Sequence, residues 1–253
     1  MIDLKDRKTL ITGGSRGIGR AAAILFAEAG SNVAITFQNR EDAAREVQAE
    51  VEKRGRECLT YRIELTGREQ AQALAADLAA RWGGLDVLVN NAGIWTGLEM
   101  GEGDVESWRE TMAIDLDAVF YLVDAVLPLL KSRPRAAIVN VGSTAGIRGE
   151  AHHSHYAAAK GAINALTKSW AVELACWNIN VNCVAPGWVD TDMCTGVFAD
   201  PVYRESVRQS IPLKRIPPPE DIAGPILFMA SDLARHITGA VLSVNGGGVL
   251  CGA

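Results

Sequence analysis

The chain has 253 residues, of which 48% are hydrophobic, and its formal net charge at pH 7 is -5. This length can bury a sizeable core as one large α/β domain or two smaller ones, and the negative charge leaves no basic excess for a nucleic-acid partner. The first residues lack an apolar signal segment, and no apolar run reaches the roughly 18 residues that span a bilayer. We therefore expect a cytoplasmic protein without nucleic-acid or membrane partners.

Apolar segments rich in β-forming residues alternate along the chain with longer helical segments. Continuous apolar character, rather than strict alternation, is typical of strands that helices cover on both faces, as in a parallel sheet. The predicted strands are residues 9–11, 32–36, 58–63, 85–89, 136–141, 179–184 and 241–244. We therefore predict a seven-stranded parallel sheet.

The segments between these strands are predicted helices. Two of them end before Gly30 and Gly55, which suit the left-handed conformation that follows a helix. Thr66 and Glu69 form a capping-box pattern at the start of the third helix. The predicted helices are residues 18–29, 41–54, 67–82, 105–131 and 154–176. Because no linker divides this alternation, we predict one doubly wound, Rossmann-like α/β domain over residues 1–253, with helices on both faces of the sheet.

One segment departs from this rhythm. Residues 186–219 carry most of the prolines of the chain and separate the sixth predicted strand from the next helical pattern. A long insertion at this place is typical of a lid or a binding loop. We therefore predict that residues 186–219, called the lid segment below, cover a substrate.

A glycine-rich loop with the sequence TGGSRGIG follows the first predicted strand at residues 12–19. Glycines there permit a tight turn and a close backbone approach, so that amides at the start of the next helix can face a pyrophosphate. The loop alone is also compatible with an ordinary turn, but its strand–loop–helix context predicts a dinucleotide site. The contacts predicted from this loop are Gly13, Ser15, Arg16, Gly17, Ile18 and Gly19.

The end of the second predicted strand indicates which dinucleotide is bound. Enzymes that use NAD often place a carboxylate there, on the adenosine ribose, whereas this chain has Phe37 and no acid before Arg40. Arg16 and Arg40 can supply cationic donors to a 2'-phosphate. The alternative is that both are solvated surface arginines. We predict NADP(H) as the cofactor.

Tyr156 and Lys160 lie four residues apart in a predicted helix, so they share one face. The pKa of a free phenol is near 10, and an ammonium about 5 Å away is expected to lower it by about two units, towards the working pH of an acid–base catalyst. The pair alone is also compatible with a packed tyrosine beside a surface lysine. Ser143 supports a catalytic site, because it ends the fifth predicted strand, where ligand-facing groups gather.

With these motifs the chain resembles the short-chain dehydrogenase/reductase family over essentially its whole length, and most closely its 3-oxoacyl-(acyl-carrier-protein) reductase branch. The motifs are TGGSRGIG at 12–19, NNAG at 90–93, Ser143, YAAAK at 156–160, PG at 186–187 and NGG at 245–247. The resemblance implies that Tyr156 protonates a carbonyl oxygen while the nicotinamide delivers hydride. It also implies that Ser143 hydrogen-bonds the same oxygen and that Lys160 holds the nicotinamide ribose.

The resemblance further implies contacts around the cofactor. Asn90 is expected at the cofactor after the fourth strand, and Glu64 replaces the aspartate that commonly contacts adenine in the family. The remaining implied contacts are Phe37, Leu65, Asn91, Ala92, Gly93, Pro186, Gly187, Val189 and Thr191.

The fourth catalytic position of the family departs from its pattern, because Asp115 stands where similar enzymes have asparagine. An amide donates and accepts hydrogen bonds, whereas an ionised carboxylate only accepts. The charge of Asp115 is expected to make Lys160 more basic. We therefore keep Asp115 in the predicted catalytic group and expect reduced activity or a displaced pH optimum.

Other interpretations remain open. A serine hydrolase would use Ser143 with His152, His153 or His155, but the sequence lacks the G-x-S-x-G elbow. The histidines could also form a metal site, although a solvated or substrate-facing loop suits their spacing better, and we predict no metal. A non-catalytic dinucleotide sensor or scaffold could have the same fold. The cysteines show no disulfide or zinc spacing and are expected to be reduced thiols: Cys58, Cys176, Cys183, Cys194 and Cys251.

The remaining predictions concern the substrate pocket and the assembly of the protein. Residues of the lid segment, together with Trp95 and Ile147, predict an apolar pocket for a small ketone or aldehyde or a 3-oxoacyl thioester; these lid residues are Trp188, Met193, Cys194, Val197 and Phe198. Similar enzymes are homotetramers, and we expect the same here.

Similar enzymes also dock an acidic acyl carrier protein on a basic patch beside the active-site mouth. Lys131, Arg133 and Arg135 are the predicted remains of that patch, but Trp177 replaces a second arginine. Opposite charge speeds encounter and sets register, so we expect weak docking of a carrier protein.

Overall fold

The computed structural model describes residues 2–101, 103 and 105–249. Seven parallel strands form one sheet in the order β3-β2-β1-β4-β5-β6-β7, which confirms the predicted doubly wound architecture. The strands are β1 (Lys8–Ile11), β2 (Asn32–Phe37), β3 (Cys58–Arg62), β4 (Val87–Asn90), β5 (Ala136–Val141), β6 (Ile179–Pro186) and β7 (Val241–Val244). The strand order reverses between β1 and β4, which is where such sheets bind ligands.

Helices connect the strands and cover both faces of the sheet. They are α1 (Gly17–Glu28), α2 (Glu41–Glu52), α3 (Arg68–Trp82), α4 (Val105–Met112), α5 (Ala118–Lys131), α6 (Ala145–Arg148), α7 (Ser154–Glu173), α8 (Thr195–Phe198), α9 (Pro201–Ser210) and α10 (Glu220–Ala230). None of the helices in the described part of the chain has the length and hydropathy that crossing a bilayer requires.

Two apolar layers hold the sheet. Phe26 of α1 and Ile226 of α10 are fully buried in the layer on one face, and Leu78, Leu122 and Ile163 are buried in the layer on the other. The strands β4, β5 and β6 are buried along their whole length. Burial on both faces explains why these strands are continuously apolar in sequence.

The element boundaries differ slightly from the predicted ones. Gly30 and Gly55 have φ of 97° and 71°, as expected of residues that follow helices. The predicted capping box is wrong: Gly67 is the N-cap of α3, without a side-chain cap. Thr66 therefore lies one position before the N-cap, and its spacing from Glu69 no longer matches the motif.

The predicted helix 105–131 contains an irregular turn. Residues Ala113–Asp117 form a π-helix between α4 and α5, and Asp115 at its centre is fully buried. A π-helical segment accommodates an extra residue within a helix and is frequent at functional sites. Apolar periodicity did not reveal this turn, although it predicted the helix on either side.

The lid segment is folded rather than extended. It contains the helices α8 and α9, and its residues Phe198, Val207 and Ile211 form a small apolar core against which Trp188 packs. Asp200 caps α9 by accepting from the backbone N of Val202 at 2.9 Å. The segment therefore presents a packed surface at the carboxyl ends of the strands.

Candidate active site

A cavity of about 440 Å³ lies at the carboxyl ends of the first six strands. Except for Gly19 and Asn90, all of the predicted catalytic and cofactor residues line it. They are Gly13, Ser15, Arg16, Gly17, Ile18, Phe37, Arg40, Glu64, Leu65, Asn91, Ala92, Gly93, Asp115, Ser143, Tyr156, Lys160, Pro186, Gly187, Val189 and Thr191. The fold thus brings together residues that are up to 178 positions apart, from 13 to 191.

The glycine-rich loop shows why glycine is required at several of its positions. Gly13 and Gly17 have φ of 64° and 52°, which glycine adopts without strain. A Cβ on Gly13 would lie 3.0 Å from Ala92 Cα. Gly19, a predicted contact, does not line the cavity. A Cβ there would lie 2.3 Å from Gly13 O, so this glycine lets α1 pack against the loop.

The segment after β4 supports the loop through Asn91. Its Nδ2 donates to Thr12 O at 2.8 Å, and the backbone N of Asn91 and of Ala92 donate to Thr12 Oγ1 at 2.9 Å. The expectation that Asn90 reaches the cofactor is wrong. Asn90 is buried at the end of β4, where its Nδ2 donates to Asn140 Oδ1 at 2.8 Å.

A buried polar chain that the sequence analysis missed continues from this bond. Asn140 Nδ2 donates to Thr167 Oγ1 at 2.9 Å, and Thr167 Oγ1 donates to Ile163 O at 2.8 Å. These bonds tie α7 to β4 and β5. The polar residue in each otherwise apolar strand was the available signal, because buried polar groups need partners.

The two arginines predicted to bind a 2'-phosphate both line the cavity, and each faces a carboxylate. Arg16 NH1 lies 3.9 Å from Asp192 Oδ2, and Arg40 Nε donates to Asp42 Oδ1 at 3.2 Å. The hydrogen bond from Arg40 lowers the pKa of Asp42. Both guanidinium groups are about half exposed and open to a ligand.

Three of the residues predicted to be catalytic meet beyond the end of β5. The hydroxyl of Ser143 is close enough to the phenol of Tyr156 to act on its pKa, and Ser143 Oγ accepts from the backbone N of Ala145 at 3.1 Å. Lys160 Nζ lies 5.6 Å from the centroid of the Tyr156 ring. It also lies 3.5 Å from Val141 O. A hydroxyl, a phenol and an ammonium therefore share one wall of the cavity.

Asp115 joins this group from the π-helical turn. Its Oδ2 lies 3.1 Å from Lys160 Nζ, and its Oδ1 accepts from the backbone N of Ile94 at 2.8 Å. The exposed fractions of the Asp115 and Lys160 side chains are 0% and 6%. A Cβ on Gly93 would lie 3.1 Å from Oδ2 and 3.2 Å from Nζ, so glycine leaves room for this buried ion pair.

Burial dominates the pKa of Tyr156 and raises it above its ordinary value. The charge of Lys160 and the hydrogen bond with Ser143 act in the lowering direction, while Asp115 and Glu150 raise the pKa further. The expected net lowering is therefore wrong for the chain alone, because the desolvation of the phenol outweighs the ammonium.

The Lys160–Asp115 pair behaves as expected. Burial lowers the pKa of Lys160, but the charge of Asp115 and that of the phenolate outweigh it and raise the pKa overall. Burial raises the pKa of Asp115 itself, against the effect of the nearby ammonium. Asp115 thus keeps Lys160 protonated, which an asparagine at this position would not do by charge.

The histidine cluster contacts the segment after β4. The ring of His153 stacks on Trp95 with centroids 4.3 Å apart, and His155 Nε2 lies 3.1 Å from Thr96 Oγ1. His155 is fully buried, and burial lowers its pKa. The expectation of a solvated or substrate-facing position is therefore wrong for this residue, because it turns inward in the first turn of α7.

Metal-binding and thiol chemistry find little support in the structure. Within the described ranges, His, Cys, Asp and Glu side chains form no group of three or more that could hold a metal ion. The four described cysteines are unpaired, and burial raises the pKa of Cys183 to about 11. Cys251 lies outside the described residues.

Aromatic side chains form the substrate end of the cavity. Trp188 of the lid segment packs edge-on against Trp95, with centroids 5.6 Å apart, and contacts Phe198 and Tyr203 on its other sides. Trp95 and Trp188 line the cavity, together with Met193 and Cys194.

Three predicted pocket residues lie outside the cavity lining. Phe198 and Val197 pack in the small core of the lid segment, and Ile147 is 39% exposed. Two polar residues that the sequence analysis missed, Arg148 and Glu150, line the cavity instead. The pocket is thus less uniformly apolar than predicted, because the end of α6 and the loop after it bring charged residues to the cavity.

The predicted basic patch does not flank the cavity within the chain. Lys131, Arg133 and Arg135 precede β5, and Trp177 precedes β6, so they lie at the amino edge of the sheet, opposite the cavity. Lys131 Nζ lies 3.4 Å from the centroid of the Trp177 ring. Arg133 Nε lies 3.6 Å from Asp86 Oδ2. The prediction failed because sequence proximity to a strand does not tell which end of the strand a residue approaches.

Comparison with known proteins gives consistent matches over nearly the whole chain. A family model described as Enoyl-(Acyl carrier protein) reductase matches residues 13–248. The chain is 38% identical over 245 residues to the 3-oxoacyl-[acyl-carrier-protein] reductase FabG of Chlamydia trachomatis, covering 96% of this chain and 98% of the relative. It is 35% identical over 242 residues to the FabG protein of Staphylococcus epidermidis, with the same coverage of 96% and 98%.

Solved structures match equally well. A putative short-chain alcohol dehydrogenase from Sinorhizobium meliloti superposes with a TM-score of 0.93 at 33% identity, covering 98% of each chain. A putative NAD(P)-dependent gluconate 5-dehydrogenase from Beutenbergia cavernae, with bound NADP, gives a TM-score of 0.92 at 35% identity and the same coverage of 98%. The chain therefore belongs to the short-chain dehydrogenase/reductase family and is an oxidoreductase.

Proposed function

We propose that the protein is an NADP(H)-dependent reductase that interconverts a carbonyl and a secondary alcohol. The observation that carries this proposal is the meeting of Ser143, Tyr156 and Lys160 on the wall of a cavity that the glycine-rich loop also lines. A phenol beside an ammonium is suited to proton transfer, and the loop is suited to a pyrophosphate. The names of the relatives, which are reductases and dehydrogenases, agree with this chemistry.

The side chains divide the chemistry as follows. The nicotinamide dinucleotide supplies or accepts the hydride when it is bound. In the direction of reduction, Tyr156 Oη donates its proton to the carbonyl oxygen, and the hydroxyl of Ser143 donates a hydrogen bond to the same oxygen. In the direction of oxidation, the Tyr156 phenolate accepts the proton of the alcohol.

Lys160 stabilises the phenolate that forms when Tyr156 gives up its proton. The ammonium lies on the same helical face as the phenol and is nearly buried, so its charge is poorly screened. Asp115 positions this ammonium and keeps it charged. Burial raises the pKa of Tyr156 and so opposes loss of its proton. The phenol therefore donates this proton readily only when the negative charge that develops on its oxygen is stabilised. We assign this stabilising role to Lys160.

The remaining lining residues fit a dinucleotide with a 2'-phosphate. Glycine at positions 13 and 93 lets Ala92 and the Asp115–Lys160 pair pack closely beside the backbone that lines the cavity. Arg16 and Arg40 are the proposed donors to the 2'-phosphate. The proposed adenine contacts are Glu64 and Leu65, and the proposed contacts to the nicotinamide half are Asn91, Ala92, Gly93, Pro186, Gly187, Val189 and Thr191.

Steady-state kinetics with a panel of carbonyl compounds test the proposal. NADPH is expected to give a higher kcat/KM than NADH, and Arg16→Ala should narrow the gap by weakening 2'-phosphate binding. Equal or better use of NADH by the native protein would contradict the cofactor assignment. Binding of cofactor without turnover of any small ketone, aldehyde or 3-oxoacyl thioester would favour the alternative of a non-catalytic sensor.

For the substrate, we propose a free small ketone or aldehyde, or a thioester used without tight docking of an acyl carrier protein. The supporting observation is that Arg133 is engaged by Asp86 and that Lys131 lies on the Trp177 ring at the edge opposite the cavity. Because these basic side chains already have partners and lie away from the cavity, they contribute little attraction for an acidic carrier protein that must reach the cavity of the same chain.

We also propose a homotetramer, as in similar enzymes. Phe120 of α5 and Val172 of α7 are 46% and 80% exposed on the two long helices that such enzymes pair. Exposed apolar side chains on adjacent helices are typical of a self-complementary interface. Light scattering should give a mass about four times that of the chain, and a monomer mass at micromolar concentration would contradict the assembly.

A further inference from the structure

Asp192 connects the lid segment to the glycine-rich loop. It opens the one-turn helix Asp192–Cys194 directly after Thr191, and it lines the same cavity as Arg16 and Arg40. Its Oδ2 lies 3.9 Å from Arg16 NH1. The lid segment is close to the loop here, since a Cβ on Gly17 would lie 3.5 Å from Thr191 Cγ2.

The charge of Asp192 also reaches the second arginine. The pKa of Arg40 is raised, first by its hydrogen bond and ion pair with Asp42 and in smaller part by Asp192. Arg40 therefore has a carboxylate partner on its own helix, whereas the partner of Arg16 belongs to the lid segment. Asp192 is thus a negative charge at the place where a 2'-phosphate would have to bind.

We propose that Asp192 is a specificity-determining residue that competes with the 2'-phosphate of the cofactor for Arg16. This inference rests on the proposed function in one respect, that Arg16 is a 2'-phosphate ligand. A phosphate ester carries a charge of about −1.5 to −2, so it must both displace the carboxylate from Arg16 and overcome repulsion by it. NAD(H) has hydroxyl in place of this phosphate and meets neither cost. Asp192 therefore reduces the ratio by which the protein binds NADP(H) more tightly than NAD(H).

The expected size of the effect follows from exposure. The side chains of Arg16 and Asp192 are 55% and 51% exposed, and exposed ion pairs are weak. We expect Asp192→Asn to tighten NADPH binding about two- to fivefold at low salt while NADH binding stays unchanged. Because salt screens exposed charges, the difference should diminish as the ionic strength rises towards 0.5 M, where the Debye length is about 4 Å.

Asp190 offers a matched control. It lies two residues away in the same segment, is similarly exposed at 46%, and pairs with Arg204 at 2.5 Å. It does not line the cavity. Asp190→Asn removes the same charge and should leave the ratio of the two dissociation constants unchanged.

The experiment measures dissociation constants of NADPH and NADH by quenching of tryptophan fluorescence for native protein, Asp192→Asn and Asp190→Asn. Asp192→Asn in an Arg16→Ala background should change the ratio of the dissociation constants less, because the guanidinium for which carboxylate and phosphate compete is absent. Unchanged NADH binding in Asp192→Asn shows that the variant is folded.

An Asp192→Asn variant that binds both cofactors with an unchanged ratio, or that binds NADPH more weakly, would overturn the inference. The latter result would mean that the carboxylate positions Arg16 for the phosphate rather than competing with it. Failure of the proposed function is a separate result, because it is seen in the native protein as equal or tighter binding of NADH.

Discussion

Two buried aspartates face cations at opposite edges of the same sheet. At the carboxyl edge, Asp115 lies 3.1 Å from Lys160 Nζ and lines the cavity. At the amino edge, Asp86 lies 3.6 Å from both Arg7 and Arg133, and its Oδ2 accepts from the backbone N of Lys8 at 2.9 Å. The two clusters use similar groups, and of the two only the first is near Tyr156, the proposed proton donor.

The comparison shows that the effect of an ion pair depends on the edge of the sheet at which it lies, and not only on the charges that it pairs. Loops at the carboxyl ends of parallel strands converge on the ligand site, so the field of Asp115 acts on Lys160 and Tyr156. At the amino edge, Asp86 links the start of β1 to the connection between α5 and β5. We therefore expect substitutions in the Asp115 cluster to change the rate or pH dependence of the reaction. Substitutions in the Asp86 cluster should change the free energy of unfolding.

The largest effect is expected from Tyr156→Phe, which removes the proposed proton donor from the carboxyl edge. kcat should fall by about 10²–10⁴, because that is the usual contribution of a positioned acid. The dissociation constant of NADPH should stay within about twofold, since the glycine-rich loop is untouched. Tyr121→Phe is the matched control, as Tyr121 is half-buried on α5 outside the cavity lining. Near-native kcat in Tyr156→Phe would mean that another acid acts.

At the amino edge, Asp86→Asn should reduce the free energy of unfolding by about 1–3 kcal/mol. The amide can still accept from the backbone N of Lys8, but Arg7 and Arg133 lose their shared counter-charge. Denaturant unfolding measures the loss, and kcat per folded molecule should not change. A clear loss of kcat in folded Asp86→Asn protein would contradict the expectation that the amino edge affects stability and not catalysis.

Asp115→Asn should move the pH dependence. The charge of Asp115 raises the pKa of both Lys160 and Tyr156, so the neutral amide should lower the pKa of both groups. Reduction needs protonated Tyr156, and its alkaline limb should move to lower pH. Oxidation needs the phenolate, so its acid limb should move the same way and the rate near neutral pH should rise.

Full pH–rate profiles in both directions test this sign. The carboxylate of Glu150, which also acts on the pKa of Tyr156, and the ring of His155, which acts on that of Asp115, are unchanged in the variant. Asp117→Asn removes an exposed carboxylate from the same π-helical turn and serves as control. An Asp115→Asn profile that overlays the native one would show that this side chain is incidental.

The smallest effect is expected when one 3-oxoacyl chain is presented either on an acyl carrier protein or as a small thioester. Because the basic residues at the amino edge are engaged, kcat/KM for the two forms should agree within about threefold. A strong preference for the carrier conjugate that fades as salt rises would instead support a role in fatty-acid synthesis.

Short-range spacing made much of the site predictable. The backbone conformation of the glycine-rich loop depends on residues close together in the chain, such as Gly13 and Gly17, both of which have positive φ. Tyr156 and Lys160 share a helical face because they are four apart. Long-range consequences escaped prediction: Asn90 does not reach the cavity, and Arg133 approaches the opposite edge of the sheet.

The sequence by itself therefore determined the doubly wound sheet, the glycine-rich loop and the shared helical face of Tyr156 and Lys160, because apolar periodicity and local spacing carry that information. The tertiary structure alone decided the π-helical turn around Asp115, the ion pair of Asp192 with Arg16 and the raised pKa of Tyr156. The physical reason is that burial and electrostatic fields depend on which distant segments become neighbours. No local pattern in the chain records those distances.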